Sequence, residues 1–109
     1  MMSTIEIEES YEGGWLRLAV VGELDHTTAP KLEERLTQLR ASSVDVRVDL
    51  SKVQFMDSTG LQVLVQARNH ALARGCRLEV NQEVSPQVRR LFELVGLDRL
   101  TSGKEDTER

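Results

Sequence analysis

The chain has 109 residues and a formal net charge of −4, enough for one core of two packed layers and too short for a second domain. The acidic balance excludes the basic footprint of a protein that neutralises nucleic-acid phosphates, and an aromatic content of 4% excludes an aromatic-lined platform for bases. One cysteine, Cys76, cannot close an intramolecular disulfide, and two histidines, His26 and His70, supply no soft-ligand cluster for a metal.

The opening MMSTIEIEES has neither a basic nor an apolar signal segment, and no stretch is long enough to span a bilayer, so a cytoplasmic chain without membrane insertion is expected. Ile5 and Ile7 alternate with glutamates, YEGG supplies a turn, and Leu16, Leu18 and Val20 alternate with Arg17, Ala19 and Val21. This pattern predicts a hairpin at a sheet edge. In GELDHTTAPKLEERLTQLR, Thr27 or Thr28 can cap a helix, Pro30 fits its first turn, and Leu32, Leu36 and Leu39 form its apolar stripe. From Val44 to Leu50 the alternation returns and predicts a half-buried strand. A second helix is expected from about Thr59 to Arg74, ended by Gly75 in a left-handed conformation, and a further strand from Arg77 to Asn81. Ser85-Pro86 opens a third helix with the stripe Val88, Leu91, Phe92 and Val95, and Gly96 ends it. Residues 101–109 form a polar tail expected to fray.

Strand parity predicts the layers. Arg17, Asp45, Arg47, Asp49, Arg77 and Glu79 all fall opposite the apolar positions, so one sheet face is expected to be solvated and the other to carry the helices. The fold class is therefore α/β: a small mixed sheet, an N-terminal hairpin plus parallel strands, with helices packed mainly on one face.

The segment QFMDSTGLQVLVQ places Asp57, Ser58, Thr59 and Gly60 at the turn into the second helix. The plain reading is helix capping, by any of the three polar residues, with Thr59 and Gln62 matching a capping box. The functional reading is a docking surface: Gly60 in the first turn leaves backbone N–H groups approachable, and Leu61 and Val65 fall at the margin of the arc formed by Val63, Leu64, Ala67 and Ala71. Arg68 also falls within that arc, with its stem along the apolar surface.

Enzymatic readings fit poorly. A serine-hydrolase turn wants glycine two residues before and two after the nucleophile, whereas Ser58 has Met56 and Gly60, and only His26 or His70 is available as base. An aspartic-protease motif would place glycine one residue nearer the aspartate and continue as a strand. Asp25 beside His26 is a possible dyad or an ordinary turn pair, and Cys76 is expected to be a buried strand residue. No phosphate-cradling glycine loop occurs, and no cofactor is implied.

GELDHTTAPKLEERL, VRVDLSKVQFMDSTGLQVLVQARNHA and VSPQVRRLFELVGLDRL together resemble, in order and spacing, the STAS-domain anti-sigma-factor antagonists of bacteria. The resemblance runs from about Ile5 to Leu100 and implies a single STAS domain over 1–109. It implies a non-enzymatic regulator whose phosphate acceptor is Ser58, with Thr59 as a competing hydroxyl. It also implies an anti-sigma factor as partner, a serine kinase of the histidine-kinase-like ATPase fold. The unphosphorylated antagonist would bind that factor and free the sigma factor, phosphorylation would break the complex, and a metal-dependent serine phosphatase would restore it. Asp25, Asp57, Ser58, Thr59, Gly60, Leu61 and Val65 are the expected partner surface on a monomer or weak dimer. The alternative within the family is a scaffold subunit of a larger signalling assembly that is not phosphorylated.

Physical chemistry allows such a switch. A phosphate adds about 1.5 to 2 negative charges, which a helix N-terminus favours by roughly 0.3 to 1 kcal/mol, so the domain should survive phosphorylation. Two unit charges 4 Å apart repel by about 4 kcal/mol at an effective dielectric of 20. Arg68, ten residues along the helix, lies about 15 Å from Ser58, too far to neutralise the phosphate.

Overall fold

The computed structural model describes residues 3–81 and 83–94. The order is β1 (Ile5–Glu12), β2 (Trp15–Leu24), α1 (Ala29–Arg40), β3 (Asp45–Met56), α2 (Ser58–Ala73), β4 (Leu78–Val80) and α3 (Pro86–Leu94). The strands form one mixed sheet in the order β1-β2-β3-β4, with β1 antiparallel to β2 and the later pairs parallel. The hairpin closes through Gly13 and Gly14, both with positive φ (58° and 86°), as a two-residue turn matched to strand twist requires.

One buried cluster joins the inward positions of the strands (Ile5, Leu16, Leu18, Val20, Val46, Val48, Leu50, Leu78 and Val80) to Leu32, Leu36 and Leu39 of α1, Leu61, Val63 and Leu64 of α2, and Val88 and Phe92 of α3. The opposite face of the sheet carries charge pairs: Arg17 with Asp49, Arg47 with Glu79, and Arg77 with Asp45. The Arg47 and Arg77 guanidinium groups each stand over the Trp15 ring, 4.4 Å from its centroid. The layering predicted from parity is thus present, and its open face is tied together by its own side chains.

β3 departs from the expected strand. Alternation fails after Leu50 because β3 carries two extra residues against β2: Ala19 pairs with Asp49 but Val21 with Lys52, and Gly22 pairs with Val53 but Glu23 with Phe55. Each bulge inverts the parity, so Val53 and Met56 turn inward and the strand continues six residues beyond Leu50 to Met56.

β4 covers only Leu78–Val80, which leaves Cys76 half-buried in the connection before it rather than buried in a strand. Thr28 stands at the N-cap of α1, yet its hydroxyl makes no cap bond there. Instead it donates to the Glu23 carbonyl at 2.7 Å and accepts from the Asp25 amide at 3.0 Å. Gly75 does end α2 in the left-handed region (φ 78°), with Cys76 N–H on the Ala71 carbonyl and Gly75 N–H on that of Leu72. Ser85 caps α3 by accepting from the Val88 amide at 3.2 Å. Val95, Gly96 and the 101–109 tail lie outside the described residues.

Candidate functional site

Parallel pairing of β2 and β3 brings their C-terminal ends side by side, so the turns that follow, into α1 and α2, are neighbours. Leu24 joins them: its carbonyl accepts from the Asp57 amide at 3.1 Å, and its side chain packs beneath Gly60. Crevices beyond the carboxyl ends of parallel strands are where α/β sheets expose loops to ligands and partners.

In the β3–α2 turn Asp57 is the cap. Its extended backbone (φ −107°, ψ −176°) lets Oδ1 accept from the amides of Thr59 at 2.9 Å and Gly60 at 3.2 Å, and its carbonyl accepts from Leu61 N–H at 3.2 Å. The capping box expected from Thr59 and Gln62 does not form, because the helix begins one residue earlier, at Ser58. Ser58 is exposed at the first helical position, and Thr59 is half-buried.

Gly60 and Leu61 differ from the docking-surface expectation. Gly60 is buried, its N–H is already taken by Asp57, and a Cβ there would lie 2.7 Å from Leu24 Cγ and 3.0 Å from the Leu24 carbonyl oxygen. Leu61 belongs to the core at 5% exposure, and Val65 packs against it from a partly buried position. Leu61 therefore supports the turn from below while Val65 stays partly exposed, since the burial arc of α2 is wider than its periodicity suggests.

The β2–α1 turn is organised by Asp25. Its carboxylate accepts from the Thr27 amide at 2.9 Å, the Thr27 hydroxyl at 2.6 Å and the Thr28 amide at 3.2 Å. Hydrogen bonds from the Ser3 and Thr27 hydroxyls, joined by the Thr27 and Thr28 amides, hold its carboxyl well below the usual carboxylate range. Asp25 thus remains charged beside the β3–α2 turn, its oxygens directed to the threonines. His26 and Thr27 are exposed on this turn. His70 stands twelve residues along α2 from Ser58, about 18 Å away, with Nδ1 3.3 Å from Arg40 Nη1.

Sequence reasoning missed two residues here. Phe55, 44% exposed opposite Glu23, sits on the bulged end of β3, where parity assigns it no side. Gln87 of α3 meets the Met56 backbone, a tertiary contact without a local signal in the sequence. Among the described residues no helix is long and apolar enough to cross a membrane, and no group of three His, Cys, Asp or Glu side chains is placed to hold a metal.

The family model described as "Mlab, STAS domain" matches residues 8–102. The chain is 38% identical over 105 residues to the anti-sigma-B factor antagonist of Staphylococcus aureus, covering 95% of this chain and 96% of that protein. It is similar to the crystal structure of an anti-sigma factor antagonist from Mycobacterium paratuberculosis, with a TM-score of 0.73, 29% identity, and coverage of 90% of this chain and 83% of that one. The unphosphorylated form of the Bacillus anti-sigma factor antagonist SpoIIAA shares the fold, with a TM-score of 0.76 at 20% identity and coverage of 94% and 89%.

Proposed function

This chain belongs to the STAS-domain family, and we propose that it is an anti-sigma-factor antagonist switched by phosphorylation of Ser58. The unphosphorylated chain binds an anti-sigma factor that is also its serine kinase, of the histidine-kinase-like ATPase fold, and so frees a sigma factor. Phosphorylation ends the complex and a serine phosphatase resets it. The similarity to proteins named anti-sigma factor antagonists supports the partner class.

The observation that carries the switch is the division of labour between Asp57 and Ser58. Asp57 occupies the Thr59 and Gly60 amides, so a phosphate on exposed Ser58 does not capture those donors and projects toward a partner. There it stands next to the Asp57 carboxylate, with Asp25 on the adjoining turn. Repulsion and desolvation on docking then remove roughly 2.7 kcal/mol of affinity, about a hundredfold. Asp25, Asp57, Ser58 and Thr59 form the contact, Val65 extends it along α2, and Gly60 and Leu61 hold it in shape. No step requires the domain to unfold.

The test is mass spectrometry of the chain from its own cells, together with the affinity of Ser58→Ala and Ser58→Asp for that organism's purified anti-sigma factor. A phosphate on the Ser58 peptide, tight binding by Ser58→Ala and weak binding by Ser58→Asp are expected. Equal affinities and no phosphate under any growth condition would favour the unphosphorylated scaffold subunit.

A further inference from the structure

β4 covers β3 only from Val46 to Val48, so the backbone of β3 beyond that point needs other partners on this edge. Two side-chain amides supply them. Asn81 Oδ1 accepts from the Leu50 amide at 3.0 Å, and its Nδ2 donates to Asp49 Oδ1 at 3.0 Å. Farther along, Gln87 Oε1 accepts from the Met56 amide at 2.9 Å while Gln87 Nε2 donates to the Met56 carbonyl at 3.0 Å. This two-point contact reproduces what a neighbouring strand residue would offer.

We propose that Gln87 is a positioning residue for the phosphate acceptor, fixing the end of β3 from α3 so that Ser58 is presented to the partner in one geometry. The proposal rests on the reading of Ser58 given above. Met56 precedes Ser58 by two residues, and the next amide, Asp57 N–H, is held from the opposite side by the Leu24 carbonyl. The strand end is therefore clamped on both edges just before the chain turns into α2. The two bulges in β3 make such a clamp necessary, since a bulged strand bends and its ladder is locally broken. Gln87 is well placed to serve because α3 is itself fixed, by buried Val88 and Phe92 and by the Ser85 cap. Without Gln87 the Met56 amide and carbonyl lose their partner on that edge, and only the β2 side holds the turn.

The experiment is amide hydrogen exchange on the full chain, with binding to the purified anti-sigma factor of the source organism measured in parallel. In Gln87→Ala the Met56 amide is expected to exchange at least about tenfold faster while the β1–β2 hairpin amides are unchanged. Affinity for the anti-sigma factor should fall roughly tenfold, the scale of one net hydrogen bond. Gln87→Glu, which keeps an acceptor for the Met56 amide but sets a carboxylate oxygen against the Met56 carbonyl where Nε2 donated, should also lose protection at Met56. Unchanged exchange at Met56, exchange that rises equally in the hairpin, or a local rise with unaltered affinity would each overturn the positioning role. All three results leave the function of Ser58 standing. Failure of the wild-type chain to bind overturns that function, and the positioning role with it, whatever the exchange shows.

Discussion

Gly60 of α2 packs onto Leu24 of β2 so closely that a Cβ at residue 60 would lie 2.7 Å from Leu24 Cγ. The contact fixes the distance between the turn that carries Asp25 and the turn that carries Ser58. Gly60→Ala gains roughly 1 kcal/mol of helix propensity, but overpacking against a fully buried leucine costs about 1 to 3 kcal/mol. A net loss of stability is expected, seen as a lower urea midpoint with an unchanged slope, and Trp15, the chain's one tryptophan, reports it by fluorescence. Partner affinity should fall in the same variant at temperatures where it remains folded, because the two turns are pushed apart.

Asp57 has two roles that substitution separates. Asp57→Ala removes the cap on the Thr59 and Gly60 amides and should cost about 1 kcal/mol in chemical denaturation. Asp57→Asn keeps an oxygen in the same place and should retain nearly all of that stability. A weakened complex in Asp57→Asn, measured by calorimetry, would show that the interface uses the charge itself.

Acid stability should follow four carboxylates held below their ordinary range. Asp25 is lowered by the Ser3 and Thr27 hydroxyls, Asp45 by the Arg77 amide and guanidinium, and Glu9 by the Arg35 guanidinium. Burial pushes Asp49 up, but the Ser51 amide and hydroxyl and the Arg17 guanidinium outweigh it. Groups with depressed folded values contribute stability that is complete above their unfolded pKa, near 3.9 for Asp and 4.3 for Glu, and lost as pH falls toward the folded values. The urea midpoint should therefore be level from about pH 7 to 5 and fall below about pH 4. Asp25→Asn, which does not titrate, should flatten part of that fall.

On the open sheet face, Arg77→Ala removes one of the two cations over Trp15 and the Arg77 side chain's pair with Asp45. Both contacts are partly exposed, so a loss below about 1 kcal/mol is expected, with a red shift in Trp15 emission. Partner affinity should be unchanged, because this face lies away from the Ser58 turn. A large drop in affinity would place the interface on the sheet instead.

The architecture was legible where a single period ran undisturbed. Leu32, Leu36 and Leu39 mark α1, Val46, Val48 and Leu50 mark the first half of β3, and the opposite-parity charges mark the open face. Legibility ended at the bulges: two inserted residues in β3 reverse the parity twice, so the alternation stops at Leu50 although the strand runs to Met56. At the candidate site the Asp-Ser-Thr-Gly cluster stood out by composition, but which polar residue caps the helix depended on where the helix begins. The sequence places Gly60 in an approachable first turn and Leu61 at the margin of the apolar arc, because nothing local reveals that Leu24 lies beneath Gly60. Gln87 was invisible for the same reason, since its partner Met56 is 31 residues away in the chain.

The most direct measurement of the central claim compares the full chain, unphosphorylated and phosphorylated at Ser58 alone, for affinity to the anti-sigma factor of its own organism. Tight binding by the first form and a loss of about a hundredfold in the second, with the fold and melting behaviour of the free chain preserved, is the predicted result. Equal affinity of the two forms would contradict it.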